Sequence, residues 1–131
     1  MTEFEVVGKV CGKQRPRFAN GHAYTPEQTR AYEKHIAMSY IGQGGKHYGD
    51  APVEVLVTAY IEPPKSWSIK KREAAYGKPH TKKPDADNIV KSVLDGLNGV
   101  AYSDDSQVFH EDGIKFYGKR EHLRVLVRRY D

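Results

Sequence analysis

Residues 83–108 read KPDADNIVKSVLDGLNGVAYSDDSQV, and the periodicity inside this stretch decides how the chain is read. Ile89, Val90, Val93, Leu94 and Leu97 fall on one face of a helical wheel. That predicts an amphipathic helix from about Ala86 to Leu97 with its apolar stripe on a core. Pro84 keeps the chain extended just before it. Asn98-Gly99 supplies a pair suited to a left-handed cap after it.

Upstream, Val53–Ile61 (VEVLVTAYI) is rich in β-branched and aromatic residues and predicts a strand, stopped by Glu62-Pro63-Pro64. Ser66–Tyr76 reads as a short solvated helix, and Gly77–Pro84 (GKPHTKKP) as a basic, mobile loop. Thr2–Val10 alternates loosely and predicts a first strand. Gly12–Tyr24 is a basic loop or a hairpin turning at Asn20-Gly21. Thr25 reads as an N-cap and Pro26 as the first residue of a helix reaching about Tyr40, closed by Gly42, Gly44 and Gly45. Downstream, Gln107–Tyr117 and Leu123–Tyr130 read as two strands of one hairpin. The order strand, helix, strand, helix, strand, strand predicts one domain over residues 1–131, of α/β or α+β class, with a small mixed sheet covered by two main helices.

Composition narrows the function classes. A chain of 131 residues with 38% hydrophobic and 29% charged content builds a core without staples. The net charge of +4 permits a nucleic-acid partner without requiring one. The single cysteine, Cys11, excludes an internal disulfide and suits a reducing compartment. The start MTEFE lacks the apolar core of a signal peptide, and no apolar run has the length of a membrane span, so the expected location is the cytoplasm. The six histidines (22, 35, 47, 80, 110 and 122) show no zinc-ligand spacing, and there is no glycine-rich phosphate loop or nucleophile elbow. His80 reads as a surface loop residue near the acidic motif.

The chemistry-bearing residues are acidic. Asp85 and Asp87 flank one residue at the helix start, where both carboxylates can converge on one point. One Asp there is ordinary capping and dipole chemistry; two, with Asn88 behind them, ask for more. Lys91 follows Asp87 by one helical turn. It is either half of a surface ion pair worth ~0.3–0.5 kcal/mol or a cation placed to stabilise negative charge. Asp104-Asp105 is either a polar turn or the source of a third carboxylate. Magnesium prefers oxygen donors and keeps several waters, so a few carboxylates suffice to hold it.

The string D-x-D-N-x-x-K, then D-G-L, then D-D-x-Q-V resembles the signature of the RusA family of Holliday junction resolvases, and RPRF…YTPEQTRAYE is similar to its phage-type branch. The resemblance covers most of the chain. It implies a homodimeric, magnesium-dependent endonuclease, with Mn²⁺ as a possible substitute ion, that makes paired symmetric nicks in four-way DNA junctions and leaves 5′-phosphate and 3′-hydroxyl ends. It implies that Asp85, Asp87 and Asp105 bind metal and that Lys91 is the essential basic residue. Asp95 matches a recurrent Asp that would orient Lys91. The loop before the Asp-Asp pair is one residue shorter than in another branch of the family. Alignment on D-D-x-Q-V favours Asp105, and a shift of one residue would move the role to Asp104.

The acidic site needs cations elsewhere to hold DNA. Candidates are Lys13, Arg15 and Arg17 in the first loop, and Lys70, Lys71, Arg72, Lys82 and Lys83 in the middle of the chain. Phe18, Tyr24 and Trp67 are candidates to wedge or stack at an opened junction. Rival readings are a non-catalytic branched-DNA binder, a magnesium phosphoesterase acting on small nucleotides, and a broader flap nuclease.

Overall fold

The structure is a computed structural model and describes residues 1–24 and 26–131. In chain order the elements are β1 (Thr2–Val7), β2 (Arg17–Ala19), β3 (His22–Tyr24), α1 (Glu27–Gly42), β4 (Val53–Ile61), α2 (Ile69–Ala75), α3 (Ala86–Leu97), a 3-10 turn (Asp105–Gln107), β5 (Val108–Tyr117) and β6 (His122–Arg129). Four strands form one mixed sheet in the order β1-β6-β4-β5, and β2 and β3 form a separate two-stranded ribbon. The expected class, a small mixed sheet flanked by helices, is the one observed.

β4 organises the sheet. Its burial alternates strictly, with Val53, Val55, Val57, Ala59 and Ile61 buried and the residues between them half-covered. A strand this apolar is stable only with both edges paired. β5 runs parallel along one edge and β6 antiparallel along the other. The expected β5–β6 hairpin therefore does not form, because β4 lies between its two arms. Their connection arches over the end of β4, where the Gly118 amide donates to the Ile61 carbonyl at 3.0 Å. Side-chain alternation reports which face of a strand is buried, not which strand lies beside it.

Both long helices cover the same sheet face. α1, which lies against β1, contributes Tyr32, Ile36 and Tyr40, and α3, which lies against β4 and β5, contributes Ile89, Val90, Val93 and Leu97 to one buried cluster with Phe4 and Val6 of β1, the odd-numbered residues of β4, and Leu123, Val125 and Val127 of β6. Each large apolar side chain buried here is worth about 1.5–3 kcal/mol. Thr25, expected as the α1 cap, lies outside the described residues. Pro26 occupies the cap position, so the helix begins one residue later than expected, and the extended backbone of Pro26 (φ −54°, ψ 143°) leads into Glu27. β1 stops at Val7, short of the expected Val10, because Gly8 turns the chain at φ 118°.

Residues 77–84 are not the mobile loop that their composition suggested. They are stitched along the outer edge of β5. The Gly77 amide donates to Tyr117 O, Tyr117 N–H to Lys78 O, and His80 N–H to Lys115 O. The Lys115 ammonium donates to the carbonyls of Lys82 (2.7 Å) and Pro84 (2.9 Å). β5 is an edge strand, and this segment satisfies backbone groups that the sheet leaves unpaired. His80 is accordingly buried against the Tyr117 ring, at 4.8 Å between centroids, and is not a surface residue.

Two glycines set how closely α3 approaches its neighbours. A Cβ at Gly96 would stand 2.9 Å from the Glu33 carbonyl oxygen and 3.0 Å from the Ile36 Cβ, both fixed parts of α1. A Cβ at Gly113 would stand 2.6 Å from a Val90 methyl and 3.3 Å from the Ala86 carbonyl oxygen. Gly96→Ala should therefore destabilise the fold by roughly 1–3 kcal/mol, although alanine in a helix is worth about 1 kcal/mol more than glycine. Urea denaturation of the two proteins measures this, and a midpoint raised by the substitution would contradict the packing described.

Candidate active site

The start of α3 is held from below and from one side. Lys115 of β5 fixes the carbonyls that lead into Asp85. On the other side, the Lys13 amide donates to the Asn88 carbonyl at 2.9 Å. Gly12 permits this contact, since a Cβ there would lie 3.1 Å from the side chains of both Asn88 and Pro84. Asp85 is the N-cap residue by position, yet its carboxylate caps no amide. It pairs instead with Lys83 at 2.9 Å. That hydrogen bond, aided by the charges of Lys83 and Lys115, holds the Asp85 carboxyl below the usual carboxylate range.

Asp87 is exposed in the first turn and accepts the amide of Asn88 at 2.9 Å. The Asp87–Lys91 ion pair considered from the sequence is not made, and Lys91 is exposed with no ion-pair partner among the described residues. Asp95 makes no ion pair with Lys91 among the described residues. Its carboxylate meets the Lys13 ammonium at 2.9 Å, and Glu33 of α1 meets the same ammonium at 2.5 Å. Burial works against the Lys13 charge, but hydrogen bonds to Glu33 and Asp95 outweigh it and leave the ammonium above its ordinary pKa. Lys13 is thus an internal clasp between α1 and α3, its ammonium shared by two carboxylates.

The acidic turn separates its two aspartates. Asp104 caps the 3-10 turn in a reciprocal box, its carboxylate accepting from Ser106 N–H and its own amide donating to the Gln107 side chain. The hydrogen bonds from Ser106 hold its carboxyl below the ordinary range. Asp105 is half-buried and makes no ion pair among the described residues. Tyr102 marks where the acids gather. Its hydroxyl donates to the Leu94 carbonyl at 2.7 Å. Burial first, then the charges of Asp105, Asp95, Asp104 and Glu111, push this phenol far above its usual range.

A groove of about 240 Å³ between α3 and β5 is lined by Asp87, Val90, Glu111, Asp112 and Gly113. Sequence reasoning missed Glu111 and Asp112. Glu111 carried a readable signal, because it shares the inward register of β5 with the buried Tyr117. Asp85 and Asp105 do not line this groove, and among the described residues no three acidic, histidine or cysteine side chains close into a metal cage. The donors are all carboxylate oxygens, which suits a hard divalent cation that keeps its own waters.

The candidate cations vary in availability. Arg15, Arg17, Lys70 and Lys82 are exposed. Lys71 lies 4.1 Å over the Trp67 ring, Lys83 covers Asp85, and Arg72 is half-buried. Trp67 itself packs on Tyr117 at 5.7 Å, so its ring serves the fold. Phe18 is exposed, and the side chain of Tyr24 lies outside what is described. Among the described residues no helix is long and apolar enough to cross a membrane.

The molecule is a small α+β domain that displays carboxylates around the start of α3. The model of the family described as endodeoxyribonuclease RusA matches residues 7–128, and the chain belongs to that family of DNA nucleases. It is also similar to YqaN, an uncharacterized protein of Bacillus subtilis (strain 168), at 35% identity over 96% of this chain and 94% of that one.

The clasp makes a prediction of its own. Lys13→Ala leaves Glu33 and Asp95 facing each other and should cost roughly 1–3 kcal/mol, between the surface and buried limits for an ion pair. Because the folded pKa of Lys13 is raised, the contribution is complete below the ordinary lysine range and fades only as pH rises through the raised value. Denaturation at pH 6 and pH 9 should give the same difference between wild type and variant, and a difference that disappears by pH 9 would contradict it.

Proposed function

We propose that this nuclease is a magnesium-dependent homodimer that cuts four-way DNA junctions by paired, symmetric nicks. The observation that carries the reading is that Asp87 and Asp105 have no cationic partner among the described residues, on a molecule of net charge +4. An unneutralised carboxylate at Asp87, one helical turn before Lys91, is a place for a cation and a phosphate rather than a source of internal stability. Asp85, Asp87 and Asp105 would hold Mg²⁺, or Mn²⁺ in its place. The ion supplies a water of lowered pKa and charge stabilisation at the scissile phosphate. The free carboxylate of Asp105, set against the capping work of Asp104, supports Asp105 as the third ligand.

The residues then divide the work. Lys91 brings a positive charge to the developing phosphorane from the outer side of α3. Arg15, Arg17, Lys70, Lys71 and Lys82 neutralise backbone phosphates and make binding salt-dependent. Lys83 shields Asp85 and gives way when the site is filled. In the reaction water oxygen bonds to phosphorus, the bond to the 3′ oxygen breaks, and a proton reaches that oxygen. The ends are a 5′ phosphate and a 3′ hydroxyl. Two-fold symmetry presents two copies of the site to two strands.

The test uses labelled four-way junction and matched linear duplex, in Mg²⁺ or EDTA, with wild type and Asp87→Asn. Wild type should nick the junction in pairs and spare the duplex. The variant should lose at least about a hundredfold in cleavage rate, the scale of several kcal/mol of lost charge stabilisation, while still binding the junction. Salt-sensitive junction binding with no cutting by wild type in Mg²⁺ would make the chain a binding module instead, and equal cutting of duplex would remove the junction from the reading.

A further inference from the structure

We propose that the β2–β3 ribbon is a branch-opening arm whose Phe18 stacks on an unpaired base beside the cleavage site. The inference rests on the junction-cutting reading above and names the part of the protein that grips the branch point.

The ribbon has a defined shape. Asn20 and Gly21 both take positive φ, 52° and 77°, which is the tight turn whose twist matches the two strands. Arg17 through Ala23 are all exposed. Phe18 is 78% exposed, and the residue directly across the ribbon from it is Ala23. Directly opposed residues share a face, so the residue opposite the ring offers it only a methyl group. The opposite face carries Arg17, Ala19 and His22. Between Gln14 and Tyr24 there is no acidic residue, and Arg15 and Arg17 supply positive charge. An aromatic face backed by cations on a two-stranded ribbon matches a single-stranded or unpaired nucleic acid, where rings stack on bases and arginines follow phosphates.

The root of the arm links it to the acidic site. Gly12 and Lys13 lie on the first turn of α3, bonded to Asn88 next to Asp87 and clasped to Glu33 and Asp95. From Lys13 to Phe18 an extended chain reaches roughly 17 Å. That spans about five nucleotide steps at ~3.4 Å each. A base held by Phe18 is therefore only a few nucleotides from a phosphate held at α3.

The experiment compares wild type, Phe18→Ala, Phe18→Tyr and Arg17→Ala on a four-way junction carrying 2-aminopurine at the branch point, in EDTA so that no strand is cut. Wild type and Phe18→Tyr should raise the fluorescence several-fold by unstacking the base. Phe18→Ala should lose that rise and weaken junction binding about tenfold, with duplex binding and thermal midpoint unchanged because the ring packs on little else. Arg17→Ala should weaken junction and duplex binding alike. A fluorescence rise as large in Phe18→Ala as in wild type overturns the inference and leaves the nuclease reading standing. Wild type that fails to prefer the junction over the duplex overturns the junction reading and the inference with it.

Discussion

The position of α3 depends on the absence of side chains where other elements touch it. Gly96 lets α1 cross it, Gly113 lets it rest on β5, and Gly12 lets the N-terminal segment lie against its first turn. Interiors pack with few voids, so a helix seated this closely has little freedom to shift or roll. The first turn of α3 is the turn that displays Asp85 and Asp87. Packing constraints along the whole helix thus fix the direction in which these two carboxylates face, and the sheet beneath carries Glu111 and Asp112 into the groove that Asp87 lines.

Charge is distributed in two ways around this helix. Some charges work inside the protein. Lys13 joins Glu33 to Asp95 across α1 and α3, Lys115 ties down the segment that enters α3, and Asp104 caps the turn before β5. Others have no ion-pair partner among the described residues, notably Asp87, Asp105 and Lys91. The internal ones make a rigid base, because each is satisfied by named partners. The unmatched ones carry an electrostatic cost that a cation and a phosphate relieve on binding. The basic arm, rooted by Lys13 on the same turn, brings cations to an acidic locality without neutralising it.

Much of this could be read in the chain. The stripe Ile89, Val90, Val93, Leu97 located α3 to the residue, the β-branched and aromatic content of VEVLVTAYI located β4, and Asn20-Gly21 located the turn of the ribbon. The D-x-D-N and D-D-x-Q-V strings carried the family. What escaped was long-range. Strand alternation is silent about neighbours, so β4 between β5 and β6 was not foreseen. Composition made residues 77–84 look loose because their partners, Lys115 and Tyr117, lie on a distant strand. Lys13 looked like every other basic residue in its loop, since Glu33 and Asp95 are brought to it only by the fold. One local signal was present and unused: Asp104 with Gln107 three residues on has the form of a capping box, which assigns Asp104 to the backbone and leaves Asp105 free.

The measurement that bears most directly on this account is anomalous scattering from Mn²⁺ in crystals of the wild-type protein. The account predicts a peak between the first turn of α3 and the 3-10 turn, with the carboxylates of Asp87 and Asp105 in its coordination shell and Asp104 still bonded to Ser106. A peak that engages Asp104 in place of Asp105, or ordered Mn²⁺ only at acids remote from α3, would contradict it.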